Sequence, residues 1–97
     1  MNKYENIVIL KGSITEEEAK KEIEEIKKYF EEVKIFEKAN DINGFMGLRN
    51  LSYTVKGENK GYYYITYFEG TEEQASKINL KIRANDTIIK FITIRIN

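Results

Sequence analysis

The chain has 97 residues with 16 Lys and Arg against 16 Asp and Glu, a formal net charge of zero, and it contains no His, Cys, Pro or Trp. Without His or Cys, hydrolytic triads and the usual zinc sites are excluded. We therefore expect one domain, 1–97, that is soluble, intracellular and not an enzyme, with no metal or other cofactor. No apolar run approaches the ~20 residues that span a bilayer, and the N-terminus does not read as a signal peptide.

The charges are unevenly distributed. Residues 15–32 hold eight Glu and four Lys, a net charge of −4, whereas residues 77–97 hold five basic residues and one Asp, a net charge of +4. This pattern predicts an acidic side and a basic side, with two ordinary solvated faces as the alternative.

The first third of the chain predicts a strand, a helix and a second strand. Tyr4–Leu10 contains four consecutive apolar residues, which is typical of a strand buried on both faces. A capping box of Thr15 and Glu18 predicts the start of an amphipathic helix that ends near residue 32. Val33–Ala39 alternates in polarity, so we expect a half-exposed strand at an edge of the sheet.

The middle of the chain predicts a hairpin. Asn40–Gly47 is rich in Asn, Asp and Gly and predicts a loop. Leu51–Val55 alternates in polarity as a strand arm does, and the polar segment Gly57–Gly61 predicts the turn. The aromatic and β-branched run Tyr62–Phe68 predicts a second central strand.

The last third predicts a helix and a final strand. Thr71 and Gln74 form a second capping box, followed by apolar residues at helical spacing. Asn85-Asp86 is expected to close the helix in a left-handed turn. Ile88–Ile96 predicts the last strand, because Ile92, Ile94 and Ile96 would lie on one face and Phe91, Thr93 and Arg95 on the other.

The order strand, helix, strand, strand, helix, strand predicts an α+β fold, the ferredoxin-like split βαβ sandwich (βαββαβ). Its four-stranded antiparallel sheet would carry two helices on one face, with the first and third strands central. The other face would remain uncovered, and its apolar side chains would need a partner. This fold hosts many functions and names none.

One segment suggests an RNA-binding module. The run from Lys60 to Tyr67 is close to the aromatic strand motif of RNA-recognition-motif domains, in which Tyr62 and Tyr64 would stack on bases. Against it, Tyr63 stands where that motif has a small residue. The alternatives are core packing for the tyrosines and, for the whole domain, a small-molecule regulatory or enzymatic role, which no Gly-rich phosphate loop or paired carboxylate supports.

Four short motifs stand in order along the chain: Lys3-Tyr4-Glu5 with the apolar run 7–10; Gly47, Arg49, Leu51 and Tyr53 with Val55-Lys56; Gly61-Tyr62-Tyr63; and Arg83, Asn85-Asp86, Ile88, Lys90 and Arg95. Together they resemble the bacterial small-subunit ribosomal protein six family from end to end. The chain departs from that family's pattern at Thr54, in place of Pro; at Met46, in place of an aromatic residue; at Asn2, in place of a basic residue; and in a longer loop at 40–46.

The resemblance implies a cytoplasmic structural component of the small ribosomal subunit, without catalysis or a small-molecule substrate. It also implies binding to the central domain of the small-subunit ribosomal RNA together with small-subunit ribosomal protein eighteen, as a heterodimer. On the matched positions, the basic residues proposed for RNA contacts are Lys3, Arg49, Arg83, Lys90 and Arg95. The apolar residues proposed for the protein interface are Leu51, Tyr53 and Phe91; the alternative for each is ordinary surface or core.

Overall fold

A computed structural model describes residues 1–36 and 44–97. Within these ranges the chain forms five strands and two α-helices. They are β1 (Asn2–Lys11), α1 (Glu16–Lys27), β2 (Lys34–Ile35), β3 (Gly44–Val55), β4 (Glu58–Gly70), α2 (Glu72–Arg83) and β5 (Ile88–Arg95). In this part of the chain, neither helix has the length and apolar character needed to cross a bilayer.

All the strands join one antiparallel sheet. β1 lies between β4 and β5, and the other edge of β4 pairs with both β2 and β3. The predicted ferredoxin-like α+β fold is confirmed, and the first strand and the Tyr62–Phe68 strand are central as expected. The sheet has five strands rather than four because two segments share the outer edge of β4: β2 pairs opposite residues 68–69 and β3 opposite residues 58–65.

Both predicted capping boxes are present. The Thr15 hydroxyl accepts from the Glu18 N–H at 3.1 Å, and the Glu18 carboxylate accepts from the Thr15 N–H at 2.9 Å. Because the Thr15 N–H and hydroxyl bond the charged form, they hold the pKa of Glu18 below its ordinary value. Thr71 and Gln74 make the same pair of bonds at the start of α2.

α1 is shorter than predicted. It ends at Lys27 and tightens into a 3-10 turn, Lys28–Phe30, before the chain enters β2. Phe30 is buried there, with its ring centroid 5.5 Å from that of Phe68. A 3-10 turn of this length is a common way for an α-helix to end.

Two predicted loops contain strand residues. Of the predicted loop 40–47, residues 44–47 belong to β3, where Met46 forms a bulge between Phe45 and Gly47; residues 40–43 lie outside the described ranges. The predicted turn 57–61 is only Lys56 and Gly57, both with positive φ (49° and 80°), and Glu58 already pairs with Val55. A bulge and a two-residue turn let polar residues and glycines remain inside a ladder.

The predicted left-handed turn at Asn85-Asp86 is wrong, because neither residue has a positive φ. Instead, the Asn85 side chain accepts from the Thr87 N–H at 2.9 Å, which closes the turn after α2 locally. The Asn85 amide also donates to Glu22 at 2.9 Å and to the Tyr29 hydroxyl at 3.1 Å, so it ties this turn to α1.

The core lies between the sheet and the two helices. Cross-strand pairs place alternate residues of β1 opposite Tyr62, Tyr64, Thr66 and Phe68 of β4, and all four of these β4 side chains are buried. Tyr62 and Tyr64 belong to the core cluster. The RNA-recognition-motif interpretation needs these two rings open to bases, so it is wrong for this strand.

Candidate nucleic-acid and partner interface

The face of the sheet opposite the helices is apolar at its centre. Ile7 of β1 is paired with Ile65 of β4 on one side and with Ile92 of β5 on the other. Ile92 and Ile94 are 41% and 47% exposed, whereas most of the core is below a tenth. We call this surface the open face, and its residues are Ile7, Tyr63, Ile65, Ile92 and Ile94.

One end of the open face is polar. The Tyr67 hydroxyl donates to Glu5 at 2.8 Å, and Lys3 holds its ammonium 5.5 Å from the centroid of the Phe36 ring. Arg95 lies at the same end of the sheet, opposite Tyr4 and so on the helix side. Two of the predicted RNA-binding residues, Lys3 and Arg95, therefore lie at this end.

At the opposite end, the β3–β4 hairpin extends past the end of β1 and folds over the open face. A Cβ on Gly61 would lie 2.4 Å from the Ile9 Cγ2 and 3.7 Å from the Leu51 Cδ2. Only glycine allows this approach, and Leu51 and Tyr53 then line a shallow hollow of about 60 Å³ with Ile9. The predicted interface residues Leu51 and Tyr53 thus border the open face.

A basic cleft of about 280 Å³ lies beside the hairpin tip. Three cations line it: Lys56 from the β3–β4 turn, Arg83 from the end of α2 and Lys90 from β5. The remaining lining is apolar and comprises Ile82, Ile88, Ile89 and Phe91. Among the described residues that line the cleft there is no carboxylate, so its field is positive.

Two of these cations are held by aromatic rings. The Arg83 guanidinium carbon lies 5.7 Å from the centroid of Phe91. The Lys90 Nζ donates to the Tyr53 hydroxyl at 3.1 Å and lies 5.2 Å from the centroid of that ring. Phe91 is on the helix side and packs against the core as well, unlike Leu51 and Tyr53.

The five predicted RNA-binding residues do not form one cluster. Arg83 and Lys90 meet in the basic cleft, while Lys3 and Arg95 lie at the other end. Lys90 is opposite Ile9, six residues from Lys3 along β1, which corresponds to about 20 Å. Arg49 lies opposite Gly61 on β3, where its Nε donates to the Met46 carbonyl at 3.4 Å.

Sequence reasoning did not nominate Lys56. It belongs to the motif that runs from Gly47 to Lys56, and the residues next to it in sequence include no other residue of the cleft. Arg83 and Lys90 lie 27 and 34 residues further along the chain. Only the pairing of β1 with β5 and the fold of the hairpin bring the three together.

The acidic segment of α1 carries its own counterions. Three of its four lysines pair with glutamates one turn earlier: Lys20 with Glu16 at 3.7 Å, Lys27 with Glu24 at 3.2 Å and Lys28 with Glu25 at 3.4 Å. Such exposed pairs contribute little to stability. This segment is a solvated helix face on the side of the sheet away from the open face.

Comparison with known proteins identifies similar chains over nearly the whole length. A family model described as ribosomal protein S6 matches residues 3–95. The small ribosomal subunit protein bS6 of Sulfurovum sp. (strain NBC37-1) is 34% identical over 95 residues, which cover 98% of this chain and 72% of that protein. The bS6 protein of Helicobacter pylori (strain Shi470) is 34% identical over 100 residues, covering 98% of this chain and 65% of that protein.

A solved structure has the same fold. The crystal structure of 30S ribosomal protein S6 from Thermotoga maritima is similar with a TM-score of 0.84 and 28% sequence identity. The match covers 98% of this chain and 87% of that one. The chain is therefore shorter than some relatives, spanning about two thirds of the Helicobacter pylori proteins.

Proposed function

The chain belongs to the ribosomal protein S6 family, and from this premise we propose that it binds the central domain of small-subunit ribosomal RNA as a heterodimer with small-subunit ribosomal protein eighteen. The family is a structural one without enzymatic activity, and its bacterial members are proteins of the small subunit of the cytoplasmic ribosome.

The exposed open face is the observation that carries the proposal. Ile92 and Ile94 stand side by side with Ile7 and Ile65 on a surface that no described helix covers. Contiguous apolar surface of this kind on a soluble protein usually marks an interaction site. Of the predicted interface residues, Leu51 borders the open face and fits a protein contact best, Tyr53 stands between that face and the basic cleft, and Phe91 lies in the cleft.

The charge of the chain supports joint rather than independent RNA binding. Affinity for RNA rises with the number of phosphates that a protein neutralises, and this chain has no net positive charge. A basic partner docked on the open face would add the missing cations. The predicted RNA contacts, Lys3 and Arg95 at one end and Arg83 and Lys90 at the other, would then engage separate stretches of the RNA, with Arg49 on the outer edge of the sheet.

Purified components test this proposal. The affinity of a central-domain ribosomal RNA fragment is measured for the chain alone, for protein eighteen alone and for their mixture, and complex formation is measured by analytical ultracentrifugation. We expect a one-to-one complex and an RNA affinity well above that of either protein. A fragment from another domain of the same RNA is the control. Absence of the complex, or equal RNA affinity with and without the partner, would overturn the proposal.

A further inference from the structure

We infer that the basic cleft binds a backbone phosphate of single-stranded RNA and that Tyr53 stacks on the adjacent base. The inference rests on the proposed function for the choice of RNA as the ligand. It adds a defined site, two residues not assigned to RNA by sequence, Lys56 and Tyr53, and a mode of binding.

The charges of the cleft favour an anion. Lys56, Arg83 and Lys90 come from three separate elements and line one concave surface. None of the three is in an ion pair with a carboxylate of the described residues. Unpaired cations on one concave surface attract an anion, and a phosphate bound there would accept charge-assisted hydrogen bonds.

The backbone holds Lys56 in place at an energetic cost. The two-residue turn of Lys56 and Gly57 requires positive φ at both positions, and Asn or Gly is the usual first residue. A side chain with a Cβ is disfavoured in this conformation. The turn conformation therefore does not favour lysine at this position, and we attribute the presence of Lys56 to phosphate binding in the cleft that it lines.

Two aromatic contacts position the other cations before any ligand binds. Phe91 supports the Arg83 guanidinium through its face, which leaves the N–H groups at the edge of the guanidinium able to donate. Tyr53 accepts from Lys90. Cations that are already ordered lose less side-chain entropy when a phosphate arrives.

Tyr53 supplies the feature that distinguishes a nucleotide from other anions. Tyr53 is 65% exposed although its ring touches Lys90, so a base can reach the residue from the solvent side. Exposed aromatic rings beside basic grooves are how proteins hold single-stranded nucleic acids. A carboxylate of a protein partner would use the cations and leave the ring idle.

The oligonucleotide pentauridylate is a suitable probe, and the full chain alone is sufficient. In two-dimensional NMR of the ¹⁵N-labelled chain at low salt, we expect the shifts to concentrate at Tyr53, Lys56, Arg83 and Lys90. Lys56→Gln and Arg83→Gln should weaken binding and each reduce the slope of log affinity against log salt by about 0.7. Lys21→Gln, the same charge change on the exposed face of α1, should leave both unchanged.

Two substitutions of Tyr53 separate stacking from hydrogen bonding. Tyr53→Leu should lower the affinity for pentauridylate about fivefold or more, since stacking on an aromatic ring is lost. Tyr53→Phe keeps the ring and loses the bond to Lys90, so it should lower the affinity clearly less than Tyr53→Leu does.

Three results would overturn the inference: shifts that avoid the cleft, equal effects of Lys56→Gln and Lys21→Gln, or a pentaglutamate peptide that binds the cleft as tightly as pentauridylate. None of these measurements involves protein eighteen. The proposal of RNA binding in the cleft can therefore be wrong while the heterodimer proposal is right, and the reverse is also possible.

Discussion

Two buried polar side chains face each other in the middle of the core. Asn6 and Thr66 are directly opposite in β1 and β4, and both are almost fully buried. The Asn6 amide donates to the Thr93 hydroxyl at 2.8 Å, and this hydroxyl donates to Asn79 of α2 at 2.8 Å. By contrast, the Asn6 Oδ1 and the Thr66 Oγ1 have no partner among the described atoms. A buried hydroxyl without a partner carries a desolvation cost that nothing offsets.

Thr66→Val should therefore stabilise the protein by about 1 kcal/mol, because valine keeps the shape and removes the unpaired hydroxyl. Thr93→Val is the matched control: it breaks two hydrogen bonds and should destabilise by about 1 kcal/mol or more. The free energy of unfolding from urea denaturation measures both. Equal destabilisation by the two variants would mean that the Thr66 hydroxyl has a partner in solution.

At the scale of elements, the β3–β4 hairpin combines a tight turn with an arm that extends across β1 to β5. Gly57 and the unusual Lys56 make the turn, and Gly61 lets the arm fold close over Ile9. The same hairpin places Tyr53 beside Lys90 of β5, which is not a neighbouring strand. The hairpin thus places Lys56 and Tyr53 at the basic cleft, although Lys56 must adopt a left-handed backbone conformation that lysine disfavours.

Lys56→Asn tests this trade. Asparagine adopts the left-handed conformation readily, so we expect stability to rise by up to about 1 kcal/mol, while the affinity for pentauridylate falls as it does for Lys56→Gln. Lys60→Asn removes the same charge from a regular position of β4, where asparagine is a poor strand former, and should not stabilise the protein. Thermal unfolding and the RNA titration provide the two measurements. If Lys56→Asn gained stability and kept its RNA affinity, Lys56 would not be needed for RNA binding, and the idea that it is retained in the turn for the cleft would be wrong.

At the scale of the molecule, both helices cover the same face of the sheet. That arrangement buries the alternate residues of β1 and β4 on one side and leaves Ile92 and Ile94 of β5 exposed on the other. The open face and the basic cleft meet at the hairpin, since Lys90 lines both the cleft and the hollow under Tyr53. A protein bound to the open face would therefore lie next to RNA bound in the cleft.

Ile92→Lys should weaken the complex with protein eighteen about fivefold or more, as expected for an apolar residue at the centre of an interface. The fold should survive, because this side chain is already 41% exposed. Leu80→Lys changes a leucine of α2 that is 62% exposed and remote from the open face, and it should leave the complex intact. Isothermal titration calorimetry measures the affinities and circular dichroism checks the fold. Equal effects of the two substitutions would remove the open face from the interface.

The sequence by itself determined the fold class, the starts of both helices and the two central strands. The capping boxes at Thr15 and Thr71, and the apolar run that became β1, depend on residues three or four positions apart or on consecutive residues, and such interactions form wherever the segment lies. The resemblance to a family, carried by four ordered motifs, was confirmed by the family match over residues 3–95. The matched motifs also identified five basic residues as candidates for RNA binding, but the sequence could not show which of the five are neighbours in the fold.

Tertiary structure decided what depends on distant residues. It split the outer edge of β4 between β2 and β3, turned Tyr62 and Tyr64 into the core, and joined Lys56 to Arg83 and Lys90. A strand's pattern shows which residues share a face, but the face that the helices cover is fixed only when the whole chain packs. The basic cleft likewise exists because a hairpin crosses the end of a sheet, and no local sequence signal encodes such a crossing.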